Sequence, residues 1–251
     1  MIPLPSLKFL LVFFLWTYWN TIYAYDENVI IHLKNLNNCP ACDLSDATFT
    51  NYEFASANIH FANFSNSDLR NSLFIRANLH DANFHNANLV EANLRGANLW
   101  NANFSKAHMQ KIILQSANLD SAQLIEANLF EANLKSAYLV NSHFVKANLE
   151  KAKLNGAIGS GANFSRANMQ KAAIHGANMT NAILVKTNLS SAKLDMANFS
   201  NANFIDANLQ NASINGTNFE GANLSGAIWV NGITCPPNSI SICKNMIAID
   251  E

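Results

Sequence analysis

Large hydrophobic residues recur at every fifth position from Leu44 to Trp229. The series comprises 38 consecutive units without an insertion or a deletion, and Gly159 is the one central position that lacks a large apolar side chain. A small residue, most often Ala, stands two positions before each centre, and the residue between them is usually Asn. A period of five fits neither an α-helix, with 3.6 residues per turn, nor a β-strand, with a period of 2.0. The pattern therefore predicts a turn in every unit.

Stacked coils built from such units satisfy both the hydrophobic pattern and the backbone. If each unit forms one side of a square coil, the central and small residues point inward and the three other residues point outward. Neighbouring coils then lie about 4.8 Å apart and exchange backbone hydrogen bonds. Four sides give a coil of 20 residues, so the 38 units predict about 9.5 coils and a rod roughly 45 Å long.

The phenylalanines test the four-sided arrangement independently. Eleven central positions hold Phe, and chance places about three of them in the ten-position column that runs from residue 44 to residue 224 in steps of 20. Six lie there, as expected if rings from successive coils attract one another. They are Phe64, Phe84, Phe104, Phe144, Phe164 and Phe204.

The repeated pattern Ala-Asn-Leu-x-x, seen twice in succession in residues 91–99, resembles that of the pentapeptide-repeat family. The resemblance covers about three quarters of the chain, and it implies an all-β fold, the right-handed quadrilateral parallel β-helix. Residues 38–44 and 229–235 also resemble the segments that open and close such arrays. We therefore expect an N-terminal cap over residues 25–43, the β-helix over 44–229 and a C-terminal cap over 230–251.

The first 24 residues have the features of a secretory signal. Lys8 precedes the apolar run 9–19, and Ile22 and Ala24 suit a signal peptidase that cleaves after Ala24. The alternative is an uncleaved membrane anchor, but eleven apolar residues fall short of the roughly 20 needed to span a bilayer. We predict export, to the periplasm or outside the cell, and no stable membrane span after cleavage.

Four cysteines flank the repeat where caps should lie. The rod would keep its two ends much farther apart than the ~7 Å that a disulfide tolerates between Cα atoms. This leaves Cys39 with Cys42 and Cys235 with Cys243 as candidate disulfides, which suit an exported protein. The spacing of Cys39 and Cys42 also matches a thioredoxin motif, but both residues are in phase with the core positions and no βαβ unit follows. The same distance excludes a zinc site built from all four.

No catalytic residue, cofactor site or metal site is predicted. His60 and His80 fall in one outward column with Asp81 and His85 nearby, and this is the best candidate for a metal site. Side chains that leave a surface in parallel seldom converge on one ion, so we favour solvated histidines. For the repeated Asn we predict a structural role, in which its side chain hydrogen-bonds to the backbone of the turn.

Charge gives little indication of a partner. The net charge is −1, and the ten bases and four acids of residues 100–193 make only one band of the chain positive. Binding to nucleic acid is not expected from this distribution. An outward apolar stripe beside basic residues is a possible interaction surface, although β-branched residues also suit a strand-like surface without any partner. The candidate residues are Ile125, Val145, Val185, Ile205, Phe130, Lys106, Lys146, Arg166 and Lys186.

We expect a non-enzymatic, exported scaffold that binds a protein partner, whose identity the sequence does not specify. One alternative is a DNA mimic that binds a topoisomerase, as some members of the family do to confer quinolone resistance. Those members are strongly negative, whereas the repeat here has 13 bases and 12 acids. A second alternative is a redox protein that uses Cys39 and Cys42. Finally, Gly159 predicts a local distortion over residues 158–161, with Met179 or Ile158 partly filling the space.

Overall fold

The computed structural model describes residues 37–244. The predicted signal segment 1–24 lies outside the described residues, as do the outer parts of the two predicted caps, 25–36 and 245–251. Within residues 37–244 there is no α-helix and no strand longer than one residue. The β-structure consists instead of single-residue bridges that recur every five residues.

Residues 63–67 show how one unit is built. Phe64 and Ser67 are buried, while Asn63 and Ser65 are partly buried and Asn66 is exposed. The backbone N–H of Ser67 donates to the carbonyl oxygen of Phe64 at 3.2 Å, which closes a tight turn. Asn66 has a φ of 59°, the left-handed conformation that this turn requires. We refer to the five positions as the bridge, central, first turn, second turn and small residue.

Each unit bonds to the coils on either side. The N–H of Phe64 donates to the carbonyl of Asn83 at 2.7 Å, and the N–H of Asn83 donates to the carbonyl of Ala62 at 2.9 Å. Parallel bridges join each bridge residue to the one 20 positions later, from Asn38↔Asn58 to Asn208↔Ile228. The chain is therefore a parallel β-solenoid with a 20-residue coil and four turns per coil.

The bridges form four rows along the solenoid, which we number in chain order. Members of a row are 20 residues apart. Row 1 runs from Asn38 to Asn218, row 2 from Asp43 to Asn223, row 3 from Thr48 to Ile228 and row 4 from Glu53 to Ser213.

Stacked rings fill part of the core, as the 20-residue spacing of Phe predicts. The rings of Phe64 and Phe84 are parallel, with centroids 5.0 Å apart, and Phe84 and Phe104 repeat the contact at 4.7 Å. Phe144 and Phe164 form a second stack at 4.8 Å. All five rings are buried. Offset stacking of this kind adds to the stabilisation that burial provides.

The two ends of the solenoid differ. At the N-terminal end, the N–H of Cys39 donates to the carbonyl of Asn58, so parallel pairing starts one unit before the predicted boundary at Leu44. At the C-terminal end the chain turns back and pairs in the antiparallel sense, through Asn223↔Ile240 and Ile228↔Thr234. This returning segment supplies hydrogen-bond partners to the last coil, which would otherwise present unpaired backbone groups.

The predicted distortion at Gly159 is wrong. Ile158 keeps both of its parallel bridges, and the N–H of Gly159 donates to the carbonyl of Asn178 at 2.7 Å, as in undisturbed units. The space is filled by Met179, whose Sδ lies 2.7 Å from the point that a Cβ on residue 159 would occupy. Ile158 takes no part, because its side chain lies on the surface and is 38% exposed. A flexible thioether fills the gap without any change in the backbone.

Candidate interaction surface

Asparagine side chains hold the outer edge of each turn. The Oδ1 atom of Asn63 accepts a hydrogen bond from the backbone N–H of Ser65 at 3.2 Å, which confirms the predicted role in the turn. The same oxygen accepts from the side-chain amide of Asn83 at 3.0 Å, and Asn103 donates to Asn83 at 3.1 Å. Along rows 1 to 3, runs of Asn therefore form amide ladders between coils. A position where the ladder is interrupted has lost these hydrogen bonds.

The cysteines are paired at each end of the solenoid. Cys39 and Cys42 form one disulfide, with Cα atoms 5.6 Å apart, and Cys235 and Cys243 form the other, with Cα atoms 5.0 Å apart. No cysteine within residues 37–244 is free. Cys39 occupies a central position and is buried, which is the environment of a structural cysteine.

The predicted apolar stripe is a column of first turn residues that follows row 2. Ile125 is 37% exposed, and Val145, Val185 and Ile205 are partly buried. Ile125 and Val145 lie one coil apart, since the N–H of the residue after Ile125 donates to the carbonyl of Val145. Ser165 interrupts the column, as the sequence shows.

Three further exposed apolar residues stand at bridge positions where Asn is usual: Ile183 is two residues before Val185 of this column, and Tyr138 and Ile158 lie one turn earlier along the coil. Tyr138 is 47% exposed, Ile158 38% and Ile183 37%. Tyr138 and Ile158 are bridge partners in row 1, and Ile183 belongs to the adjoining row 2. These three residues were not among the predicted surface candidates, although the missing Asn at a bridge position is visible in the sequence. We define the apolar patch as Ile125, Tyr138, Val145, Ile158, Ile183 and Val185.

The predicted bases follow the stripe as second turn residues, and two of the four are paired with acids. The Nζ atom of Lys146 lies 2.9 Å from Glu126, and Lys186 lies 4.0 Å from Asp206. The hydrogen bond and the charge of Lys146 hold the pKa of Glu126 below its ordinary value. Lys106 and Arg166 form no ion pair with any described residue and are exposed.

Phe130, the remaining candidate, is not part of the apolar patch. It is a first turn residue that follows row 3, and its ring lies 4.8 Å beneath the Nζ atom of Lys151. This cation–π contact accounts for its position on the surface without a partner.

The two histidines singled out by the sequence stack on each other. The rings of His60 and His80 are 4.7 Å apart, and Nδ1 of His80 lies 2.8 Å from Asp81. Partial burial raises the pKa of Asp81, but hydrogen bonds from His80 and Asn101 outweigh it and lower the pKa overall. Phe61, which the sequence analysis did not consider, packs edge-on against both imidazoles and is 54% exposed.

No group of three or more His, Cys, Asp or Glu side chains within residues 37–244 is arranged to hold a metal ion. In the same range, no helix has the length and apolar character needed to cross a membrane.

The described residues form a parallel β-solenoid of five-residue units, and the sequence shows to which family the protein belongs. Eight copies of the family described as pentapeptide repeats match residues 38–71, 72–110, 113–144, 142–181 and 182–221. These matches cover well over half of the chain, so the protein belongs to the pentapeptide-repeat family. No protein of curated function matches the chain significantly.

Several solved pentapeptide-repeat structures are similar to the chain. HetL, involved in the regulation of heterocyst differentiation in the cyanobacterium Nostoc, is 28% identical; the match covers 82% of this chain and 97% of HetL, with a TM-score of 0.41. A second protein, from the cyanobacterium Cyanothece, is 26% identical over 52% of this chain and 92% of its own, with a TM-score of 0.29. QnrB1, a plasmid-mediated fluoroquinolone resistance protein, is 16% identical; the match covers 76% of this chain and 92% of QnrB1, with a TM-score of 0.38. All three TM-scores are below 0.5, so the description of the fold rests on this chain's own β-bridges.

Proposed function

We propose that the protein is an exported, non-enzymatic scaffold whose rigid solenoid presents the apolar patch to a protein partner. The patch is the observation that carries the proposal. At Tyr138, Ile158 and Ile183, apolar side chains replace the Asn that elsewhere stabilises the turn and the neighbouring coil. At Ile158 and Ile183 the replacement gives up hydrogen bonds worth about 0.5–1.5 kcal/mol. At Tyr138 the N–H of Val140 donates to Asp120 instead, at 2.8 Å, and all three replacements leave apolar surface in water. A partner that covers the patch compensates for both losses.

The proposed shape of the solenoid follows from its repeat. With four turns in every 20 residues, we propose a right-handed coil of quadrilateral cross-section, stacked about 9.5 times at the inter-strand spacing. Such a rod holds every residue of one row at a fixed distance from the next. The patch then spans rows 1 and 2 and the turn between them, which bears only small or amide side chains at residues 121, 141, 161 and 181.

Export is proposed from the first 24 residues, and the disulfides at the two ends are consistent with it. A disulfide persists in an oxidising compartment and is rare in the cytosol. Expression of the full chain in a bacterial host, followed by fractionation and mass spectrometry of the mature N-terminus, tests this part. We expect a chain that starts at Tyr25 outside the cytoplasm. A cytoplasmic chain that retains residues 1–24 would contradict export.

The scaffold role is tested by restoring Asn across the patch. The triple variant Tyr138→Asn, Ile158→Asn and Ile183→Asn returns three units to the common repeat, so it should fold. A matched control, Val90→Asn, changes an apolar first turn residue that follows row 3. Quantitative co-purification from the exported fraction should show a protein that the wild type and the control retain and the triple variant loses. The same set of proteins from all three chains would refute a role for the patch.

A further inference from the structure

The basic residues of the middle coils are not spread evenly around the solenoid. Between residues 100 and 193, every Lys and Arg lies in the turn after row 2, in the turn after row 3, on row 4 or in the turn after row 4. None lies on row 1 or row 2 itself, and those in the turn after row 2 are the bases that follow the apolar stripe. Several of these bases are neutralised by acids one coil away, such as Lys111 by Glu91 at 3.1 Å and Lys151 by Glu131 at 3.4 Å.

Three lysines without such a partner surround Ala173 in row 4. Lys153 and Lys193 are the bridge partners of Ala173 on the two sides along the solenoid axis. Lys171 is the second turn residue two positions before it. All three lysines are exposed, and none forms an ion pair with any residue of the described chain. His175, two positions after Ala173, is exposed on the fourth side.

The spacing allows the three ammonium groups to meet above Ala173. Lys153 and Lys193 are each one inter-strand spacing from it, about 4.8 Å, and Lys171, two residues before it, is at most about 7 Å away. A lysine side chain is long enough to cover either distance. Ala173 has the smallest side chain of any bridge residue in the described chain, so nothing at the centre blocks their approach.

A backbone donor at the same point lacks a partner. Where the bridge residue is Asn, its Oδ1 atom accepts the N–H of the first turn residue, as Asn168 does for Gln170 at 3.3 Å. Ala173 has no such oxygen, and the N–H of His175 donates to no acceptor in the described chain. An oxygen atom bound above Ala173 would take the place that the Asn oxygen occupies in other units.

The acids around this site form no ion pair with its lysines. Glu131, which lines one groove with Lys153, pairs with Lys151 instead. Asp195 follows Lys193 by two residues, but its carboxylate accepts hydrogen bonds from the side chain of Ser213 and the N–H of Asn215, on the next coil. The bond from Ser213 is the main reason why the pKa of Asp195 is lowered, so the group is charged and already engaged. Glu150 is the first turn residue directly before Lys151, in the same turn, and forms no ion pair within the described residues.

We propose that Lys153, Lys171, Lys193 and the backbone N–H of His175 form a binding site for a phosphate group, with Ala173 as its floor. A phosphate monoester presents three terminal oxygens, which match three separate ammonium groups better than the two oxygens of a carboxylate do. The site takes a phosphate carried on a soluble ligand. It lies away from the apolar patch and depends neither on export nor on a protein partner.

The test is a titration of the isotope-labelled protein with inorganic pyrophosphate, followed by the backbone amide resonance of His175. Lys153→Gln and Lys193→Gln should each weaken binding about threefold to fivefold, as expected for exposed charge pairs. Lys106→Gln is the matched control, because it removes an unpaired lysine from another turn. Sodium sulfate and sodium chloride at equal ionic strength separate a site that selects phosphate from general screening.

The decisive variant is Ala173→Asn, which restores the residue that the repeat normally has. Its Oδ1 atom should take up the N–H of His175, and its side chain should occupy the floor, so pyrophosphate should no longer shift that resonance. Because Asn occupies most bridge positions, the variant is expected to fold. Unchanged binding by Ala173→Asn, an equal loss in Lys106→Gln, or no response of His175 to pyrophosphate would overturn the proposal.

Discussion

The stacked phenylalanines offer the sharpest test of how the core is stabilised. The ring of Phe84 lies between those of Phe64 and Phe104, at centroid distances of 5.0 and 4.7 Å, and it is fully buried. Phe84→Leu keeps the residue apolar and nearly fills its volume, so burial alone predicts a loss of about 1 kcal/mol in the free energy of unfolding. The two stacked contacts add about 0.5–1.5 kcal/mol each. We therefore expect a total loss of about 2–4 kcal/mol.

A double-mutant cycle separates stacking from burial. Phe84→Leu and Phe104→Leu, singly and together, should show a coupling energy of about 0.5–1.5 kcal/mol, because the contact between these two rings is lost only once in the double variant. Phe84→Leu with Phe164→Leu is the matched control, since the same substitutions are made in the same column four coils apart. Its coupling should be close to zero. Urea unfolding followed by circular dichroism supplies the free energies, provided that the m-values agree. Equal coupling in both cycles would refute a contribution from stacking.

Three further predictions follow from single side chains. Met179→Ala should lower the free energy of unfolding, measured by urea titration, by about 1 kcal/mol more than Met169→Ala does. Met179 also fills the space beside Gly159, so its removal leaves a larger cavity. Equal losses would contradict this. Phe61→Asn should raise the melting temperature slightly, because Phe61 has a φ of 58°, which Asn tolerates better than a bulky residue does. A clear fall would mean that the contacts of Phe61 with the two histidines outweigh the backbone strain. The hydrogen bond from Arg70 is the main reason why the pKa of Asp68 is lowered in the folded protein. The ionised carboxylate therefore stabilises the fold above its unfolded pKa of about 3.9, and this contribution is lost as the pH falls through the lower folded pKa. Asp68→Asn should therefore weaken the pH dependence of unfolding below about pH 4, and an unchanged profile would exclude the pair as its source.

The regularity of the chain explains how much of the fold the sequence could predict. The period of five, the inward central residues and the 20-residue column of Phe all follow from repeated local rules, and the structure has the corresponding turns, buried residues and stacks. Gly159 shows where such rules end. The sequence indicates that a side chain is missing, but only the packing shows that Met179 reaches the space without disturbing the backbone.

The candidate surface was predicted less completely, because a surface depends on which columns adjoin. The sequence identified Ile125 and Val145 from their 20-residue spacing, but Ile183, two residues before Val185, stands at a bridge position that a column of first turn residues does not include. The site at Ala173 was missed for a similar reason. Its lysines occupy both turn and bridge positions, and the free N–H of His175 becomes visible only when the backbone hydrogen bonds are traced.

If the parallel bridges of residues 38–228 form one rigid stack, it advances by one inter-strand spacing every 20 residues. Ser65, Ser165 and Ser225 are first turn residues of the same column, so they suit pairwise spin labelling through a noncanonical amino acid, which leaves the cysteines intact. Ser65 and Ser165 are five coils apart and Ser65 and Ser225 are eight, which gives mean distances of about 24 and 38 Å by pulsed electron paramagnetic resonance. We expect two narrow distributions that differ by about 14 Å. Broad distributions, or distances that do not grow with the number of coils, would contradict it.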